Sequence, residues 1–254
     1  INDVLDMSKI ESGKMTLAEE VIELPEVMDT IVSIMQSSVK ARQQHFDVRL
    51  RHIRHEQLCC DSLRLRQVLI NVLSNASKFT PPGGTVSFDI EEAASENAAK
   101  AWFIFTVRDT GIGIKPEFLR DIFKPFTREK DSRIDKTEGS GLGMAISKKI
   151  VDLMGGTIDV ESELGVGTIT TVCLTFGLPT EEQLAAHQHK DEIFEQSLQT
   201  LSEKRVLLAE DNDLNAEIVL TVLEENGIHA KHVKDGALCL KAVQNAPEDY
   251  YDVI

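Results

Sequence analysis

The segment that most constrains this chain is residues 62–79, "SLRLRQVLINVLSNASKF". Leu65, Leu69, Val72, Leu73 and Ala76 recur at helical spacing and share one face, which predicts a helix with one side set into a core. Asn71, Asn75 and Lys78 lie at i, i+4 and i+7, on a single stripe beside that face. Two amides and an ammonium are compatible with a solvated helix edge. They are equally compatible with a metal and phosphate site, since Asn offers a neutral oxygen to Mg²⁺ and Lys a point charge.

Elements of a layered fold flank this helix. Upstream, Pro25 can sit in the first turn of a helix carrying Val27, Ile31, Ile34, Met35 and Val39. Residues 17–22, "HFDVRL" and "EQLCC" are short strand candidates. Downstream, "TVSFDI" alternates apolar and polar residues and pairs as a hairpin with "AWFIFTV" around the polar "AASENAAK". Residues 142–154 predict a helix through Leu142, Ile146, Ile150 and Leu153, and strands at 157–162 and 168–176 flank the turn "ELGVG". Residues 127–140, "TREKDSRIDKTEGS", lack periodicity and predict a mobile loop. The expected class is α+β, helices layered on an antiparallel sheet.

Pro179 opens a polar, helix-prone stretch expected to be a linker over 179–203. "KRVLLAEDN" is then an apolar strand ending on acids. The β-α-β-α-β order that follows, through 204–254, implies parallel strands with crossover helices. About 50 residues is too few for a complete domain of that kind, and "INDVLDMSKIES" reads as a helix already under way, so a fragment of a longer protein is expected.

The formal net charge of -15 argues against a nucleic-acid surface. No apolar run approaches the roughly 20 residues of a membrane span. Cys59, Cys60, Cys173 and Cys239 show no CxxC spacing, which points to a reducing compartment with buried thiols rather than disulfides or zinc.

Two glycine clusters draw the chemistry together. In "VRDTGIGIKPEF", Asp109 closes an apolar strand and Gly111 and Gly113 follow. An aspartate at a strand end can accept from an exocyclic amine, and glycines allow close backbone approach or positive φ. In "EGSGLGMAI", Gly139, Gly141 and Gly143 bare the first amides of the 142–154 helix, an anion cradle backed by the helix dipole. Each cluster alone is also what a tight turn or a glycine-rich helix start would look like.

Taken in order, these segments closely resemble the ATP-binding domain of sensor histidine kinases, a branch of the GHKL superfamily shared with gyrase B, MutL and the heat-shock chaperone ATPases. "NVLSNASKFT" resembles the N box, "DTGIGI" the G1 box, "FKPF" the F box and "GSGLGMAI" the G2 box, over roughly residues 60–176. The resemblance implies a two-layer α/β sandwich and ATP with Mg²⁺ as cofactors. It implies that Asp109 receives the adenine amine while Gly111 and Gly113 let the loop pass the base. Asn75 would be the Mg²⁺ ligand, with Asn71 beside it and Lys78 near the phosphates. Gly139, Gly141, Leu142 and Gly143 would line the phosphate end, Thr168 would support Asp109 through water, and Phe123 and Phe126 would anchor a lid at 127–140.

Hydrolytic members of the superfamily carry a catalytic Glu where this helix has Asn71, and an amide cannot take a proton from water. That favours phosphoryl transfer to a protein side chain. An ATP hydrolase, or a nucleotide-binding scaffold without kinase activity, is the alternative. Residues 1–15 resemble the end of a dimerisation and histidine-phosphotransfer hairpin, followed by the ATP-binding domain at 16–178. Residues 204–254 resemble the first half of a receiver, doubly wound α/β, with Glu210 and Asp211 as its Mg²⁺-holding acids at a strand's carboxyl end. No catalytic residue is assigned within the chain. Of the seven histidines, only His55 precedes a Glu, and the x-Arg-x-Pro of a phosphoacceptor site does not follow. The resemblance further implies a cytoplasmic location for this part, with an inner-membrane anchor in the full-length protein as the alternative, and a homodimeric full-length enzyme whose partners are its own phosphotransfer and receiver domains.

Overall fold

The computed structural model describes residues 2–127, 141–189, 204–211, 216, 219–221, 223–224, 227–247 and 250–254. It divides into two compact units, Ile1–Thr180 and Glu181–Ile254.

The first unit is a seven-stranded sheet covered on one face by helices. Its elements run α1 (Asn2–Glu11), β1 (Glu20–Glu23), α2 (Leu24–Ala41), β2 (His45–Arg51), β3 (Gln57–Cys60), α3 (Ser62–Phe79), β4 (Thr85–Ala93), β5 (Lys100–Asp109), α4 (Pro116–Leu119), α5 (Gly143–Leu153), β6 (Thr157–Glu163) and β7 (Gly167–Gly177). The strand order is β1-β3-β7-β5-β4-β2, with β6 also paired to β7. All pairings are antiparallel except β2 with β4.

Alternation decides which face is covered. Val86, Phe88 and Ile90 of β4, Phe103, Phe105 and Val107 of β5, and Val172, Leu174 and Phe176 of β7 are all buried. Phe103, Phe105 and Phe176 pack with ring centroids 5.6 to 6.4 Å apart. Against this floor α3 lays Leu65, Leu69, Val72, Leu73 and Ala76, all buried as its spacing predicts. Asp61 caps α3, accepting the Arg64 N–H at 3.0 Å. At the other end the Gln44 side chain donates to Ser77 O and Thr80 O, taking up carbonyls that the helix leaves unpaired.

Three local expectations are corrected. The strand expected at 17–22 forms at Glu20–Glu23, where it can pair with β3. Ile34 of α2 is 48% exposed, because the buried stripe runs through Val27, Met28, Ile31, Met35 and Val39 instead. The hairpin strands extend further, to Ala93 and back to Lys100, leaving a shorter turn.

α1 docks on α3 through a polar clamp. Asp6 Oδ2 accepts from Arg64 Nη1 at 3.1 Å and from Gln67 Nε2 at 2.8 Å, and Met7 is buried beside it. Another tie closes the loop between β2 and β3. Glu92 is 3% exposed, and its carboxylate accepts the backbone N–H groups of Arg54 and His55 and lies 2.6 Å from the His55 ring. His55 is therefore held as part of the scaffold.

In the second unit β8 (Arg205–Ala209) pairs in parallel with β9 (His229–Val233), and Val206 bridges Val253 in parallel on its other side. β8 is thus the middle strand. Residues 181–189 are helical, as are the described residues between 216 and 224, and a further helix spans Gly236–Gln244. This is the parallel order expected from the sequence. Val253 and Ile254 are exposed.

Candidate functional site

The candidate site is assembled around α3, which touches both glycine-containing segments. Toward its middle, Asn71 Nδ2 faces Gly143 O at 3.5 Å and Ser147 Oγ at 3.4 Å at the start of α5. At its C-terminal end, Phe79 O accepts the Ile112 N–H at 3.2 Å. Eight residues of helix separate Asn71 from Phe79, about 12 Å. Asn75 and Lys78 lie within that span, both half-buried, and the Lys78 ammonium sits 5.2 Å from the centroid of the Phe79 ring.

Asp109 ends β5. Its Oδ1 accepts the Gly111 N–H at 2.8 Å. Burial pushes the carboxyl up to about 6, against the opposing pull of the Gly111 and Thr168 backbone N–H groups. The acid is therefore poised near neutrality rather than deep in the carboxylate range. Thr168 lies directly across from it on β7.

The glycines do more for the protein's own packing than the sequence suggests. A Cβ on Gly111 would lie 2.6 Å from both Asp109 Oδ1 and Phe79 O. Gly113 has φ +67, and a Cβ there would overlap the Glu163 carbonyl oxygen. The loop is stitched to the β6–β7 hairpin, since Gly165 N–H donates to Ile112 O at 2.8 Å and Ile114 N–H donates to Ser162 Oγ at 2.9 Å.

α5 begins with Leu142 as its N-terminal flank, fully buried, whose own side chain makes no capping bond. Gly141 has φ +70, and its carbonyl accepts the Phe126 N–H at 3.0 Å. Phe123 packs against the core. Phe126, expected as a second anchor of the lid, is 68% exposed and ties to Gly141 by its backbone. Gly139 and residues 128–140 of the expected lid lie outside the described residues.

Thr168 is tied to both Asp109 and β6. Its backbone N–H bonds the carboxylate, while its hydroxyl lies 2.9 Å from Ser162 Oγ. Ser162 escaped the sequence reading. The signal was present: it continues the inward row of Ile158 and Val160 on β6, where a polar residue calls for a partner.

Glu210 and Asp211 follow the carboxyl end of β8, as expected, and Asp211 is exposed. Among the described residues no group of three or more His, Cys, Asp or Glu could hold a metal ion. A hollow of about 260 Å³ lined by Arg49, Arg51, Asp89, Glu91, Ile104, Thr106 and Arg108 opens on the uncovered face of the sheet, away from the glycine segments. No described helix is long and apolar enough to cross a membrane.

Comparison with known proteins is consistent with this geometry. The family described as histidine kinase-, DNA gyrase B-, and HSP90-like ATPases matches residues 60–179. The chain is 32% identical over its full length to the autoinducer 2 sensor kinase/phosphatase LuxQ of Vibrio vulnificus (strain YJ016) and spans 29% of that protein. Over 94% of its length it is 33% identical to the circadian input-output histidine kinase CikA of Synechococcus elongatus, spanning 30% of it. A crystal structure of full-length ShkA in complex with AMPPNP superposes with a TM-score of 0.59 at 25% identity, covering 98% of this chain and 47% of that one.

Proposed function

We propose, from the match of residues 60–179 to the histidine kinase-, DNA gyrase B-, and HSP90-like ATPase family, that this chain is the ATP-binding catalytic part of a hybrid two-component sensor histidine kinase. The observation that carries the reading is the joining of both glycine segments to the one helix that bears Asn71, Asn75 and Lys78. In this reading Asp109 accepts the adenine amine. Asn75, Asn71 and Lys78 serve the phosphates, and Gly141, Leu142 and Gly143 supply backbone amides at the start of α5 to the same end. Gly139 belongs with them by sequence.

The residues suit the cofactor. Backbone amides at a helix start, with the helix dipole behind them, favour an anion. One amide oxygen, with phosphate oxygens and water completing the shell, is the kind of donor set that Mg²⁺ takes. When bound, the ion would neutralise phosphate charge. The chain's own part is positioning. α3 and the two loops would hold the nucleotide while an acceptor imidazole attacks the γ-phosphorus. A nitrogen–phosphorus bond forms, the bond to the β-phosphate oxygen breaks, and ADP leaves. The acceptor histidine is outside this chain in this reading, and onward transfer would go to a receiver aspartate. Residues 1–15 are assigned to the phosphotransfer hairpin, 16–178 to the ATP-binding domain, 179–203 to the linker and 204–254 to a receiver with Glu210 and Asp211 as metal ligands. A cytoplasmic homodimer is part of the same proposal. The four cysteines are free thiols, but only Cys60 is buried; Cys59, Cys173 and Cys239 are half-buried, against the expectation of buried thiols.

The test is titration of the chain with Mg·ATP, followed by incubation with a separately supplied phosphotransfer hairpin and labelled ATP. Binding, with label on the hairpin histidine, is expected. Phosphate release in stoichiometric excess without phosphohistidine would favour the hydrolase alternative; no nucleotide binding would remove both.

A further inference from the structure

Three neighbouring strands carry a row of polar side chains at the same end of the sheet. Ser162 of β6 lies opposite Thr168 of β7, and Thr168 lies opposite Asp109 of β5. All three continue inward-facing rows, Ser162 after Ile158 and Val160, Asp109 after Val107, and Thr168 with buried Thr170 before Val172. The hydrogen bonds within the row leave little freedom.

A serine hydroxyl has one proton to give and two lone pairs. Ser162 Oγ lies 2.9 Å from Gly167 O, which can only accept, so the proton goes there. The Ile114 N–H, 2.9 Å away, can only donate, so it takes one lone pair. The remaining neighbour is Thr168 Oγ1, also at 2.9 Å, and with the Ser162 proton already committed Thr168 must donate its own. The Thr168 hydroxyl is then left with lone pairs alone. Asp109 beside it is likewise an acceptor when ionised. Two acceptors side by side suit an amino group, with its two N–H donors, and repel a keto oxygen in the same place.

From this the geometry points to Ser162 as a positioning and specificity-determining residue. It would fix the Thr168 hydroxyl as an acceptor, pin Ile114 of the glycine loop to the hairpin, and so bias the site toward a 6-amino over a 6-oxo purine nucleotide. This rests on the ATP-binding reading above and assigns a role to a residue that would not itself touch the base.

The test compares Mg·ATP and Mg·GTP affinities of the whole chain by calorimetry, with melting temperatures recorded for every variant. Ser162→Ala frees the Thr168 proton and is expected to weaken ATP binding by roughly fivefold to tenfold, the scale of one hydrogen bond, and to narrow the ATP-to-GTP ratio. Ser162→Thr keeps the hydroxyl and is expected to restore both. Thr168→Val should narrow the ratio to the same degree, and adding Ser162→Ala to it should narrow the ratio no further. Should Ser162→Ala fail to fold, Thr168→Val and Ser162→Thr decide the matter through the same ratio. A Ser162→Ala protein that melts lower yet keeps the wild-type ratio overturns the role, as does a further narrowing of the ratio in the double variant or a Thr168→Val variant with an unchanged ratio. In those cases wild type still binds ATP and the function stands. Wild type that binds neither nucleotide overturns both.

Discussion

The Asp109 carboxylate accepts the N–H of Gly111 at 2.8 Å, yet burial still lifts its pKa to about 6. A raised carboxyl pKa means that the folded state holds a proton that the unfolded chain has already released. Between the ordinary value of 3.8 and about 6 this group's contribution to stability is therefore lost as pH rises. Adenine binding runs the other way, because the ionised form is the better acceptor. ATP affinity is expected to climb as pH passes from 5 to 7.5, while Asp109→Asn binds weakly and nearly independently of pH. Calorimetry at several pH values, with a matched denaturation series, checks both signs.

Gly113→Ala should disrupt the loop rather than soften it. The residue has φ +67, and its Cβ would overlap the Glu163 carbonyl oxygen. The backbone term alone costs about 1–2 kcal/mol, and relieving the overlap must displace the β6–β7 hairpin. A lower melting temperature together with a loss of ATP binding is expected. Gly165, with φ +83 but open space around it, is the control: Gly165→Ala should cost only the backbone term and leave binding intact.

Glu92 gives the protein an acid limit. Burial acts to raise its pKa, but the backbone N–H of Arg54, the His55 ring and the His55 N–H outweigh that and hold it below the ordinary 4.5. A lowered carboxylate pKa contributes stability that is present above the unfolded value and lost as pH falls through the folded one. Glu92→Gln keeps an acceptor but not the charge and should cost about 1–3 kcal/mol at pH 7. That cost should shrink progressively below pH 4.5. A urea series at pH 7 and pH 3.5 reads it directly.

Asp6 and Arg64 join α1 to α3, with both side chains largely withdrawn from water and Gln67 completing the triangle. Because the three share one network, Asp6→Ala and Arg64→Ala should not add. A coupling of about 1 kcal/mol is expected from a double-mutant cycle. Strict additivity would mean that Asp6 and Arg64 act independently and that the apolar contacts of Met7 and Ile10 hold α1 without the clamp.

Much of this protein was legible without coordinates, because the signals are local. The α3 stripe and the alternation along β4, β5 and β7 are repeats of 3.6 and 2 residues, and burying one face of each leaves a helix layer on a sheet as the outcome. The ordered glycine segments, Asp109 and the Asn71–Asn75–Lys78 stripe are equally contained in short stretches of chain. Tertiary structure alone decided what those residues meet. The partners of Gly113, Thr168 and Ile114 lie across the β6–β7 hairpin, and Asn71 reaches across 72 residues of chain to Gly143. Ile34 fits the helical period but misses the buried stripe, because helix rotation is set by the packing surface. Ser162 looked like any strand serine until strand register placed it against Thr168. Periodicity specifies which face of an element is apolar; register and packing specify which side chain on that face finds which partner, and the chemistry of the site depends on the second.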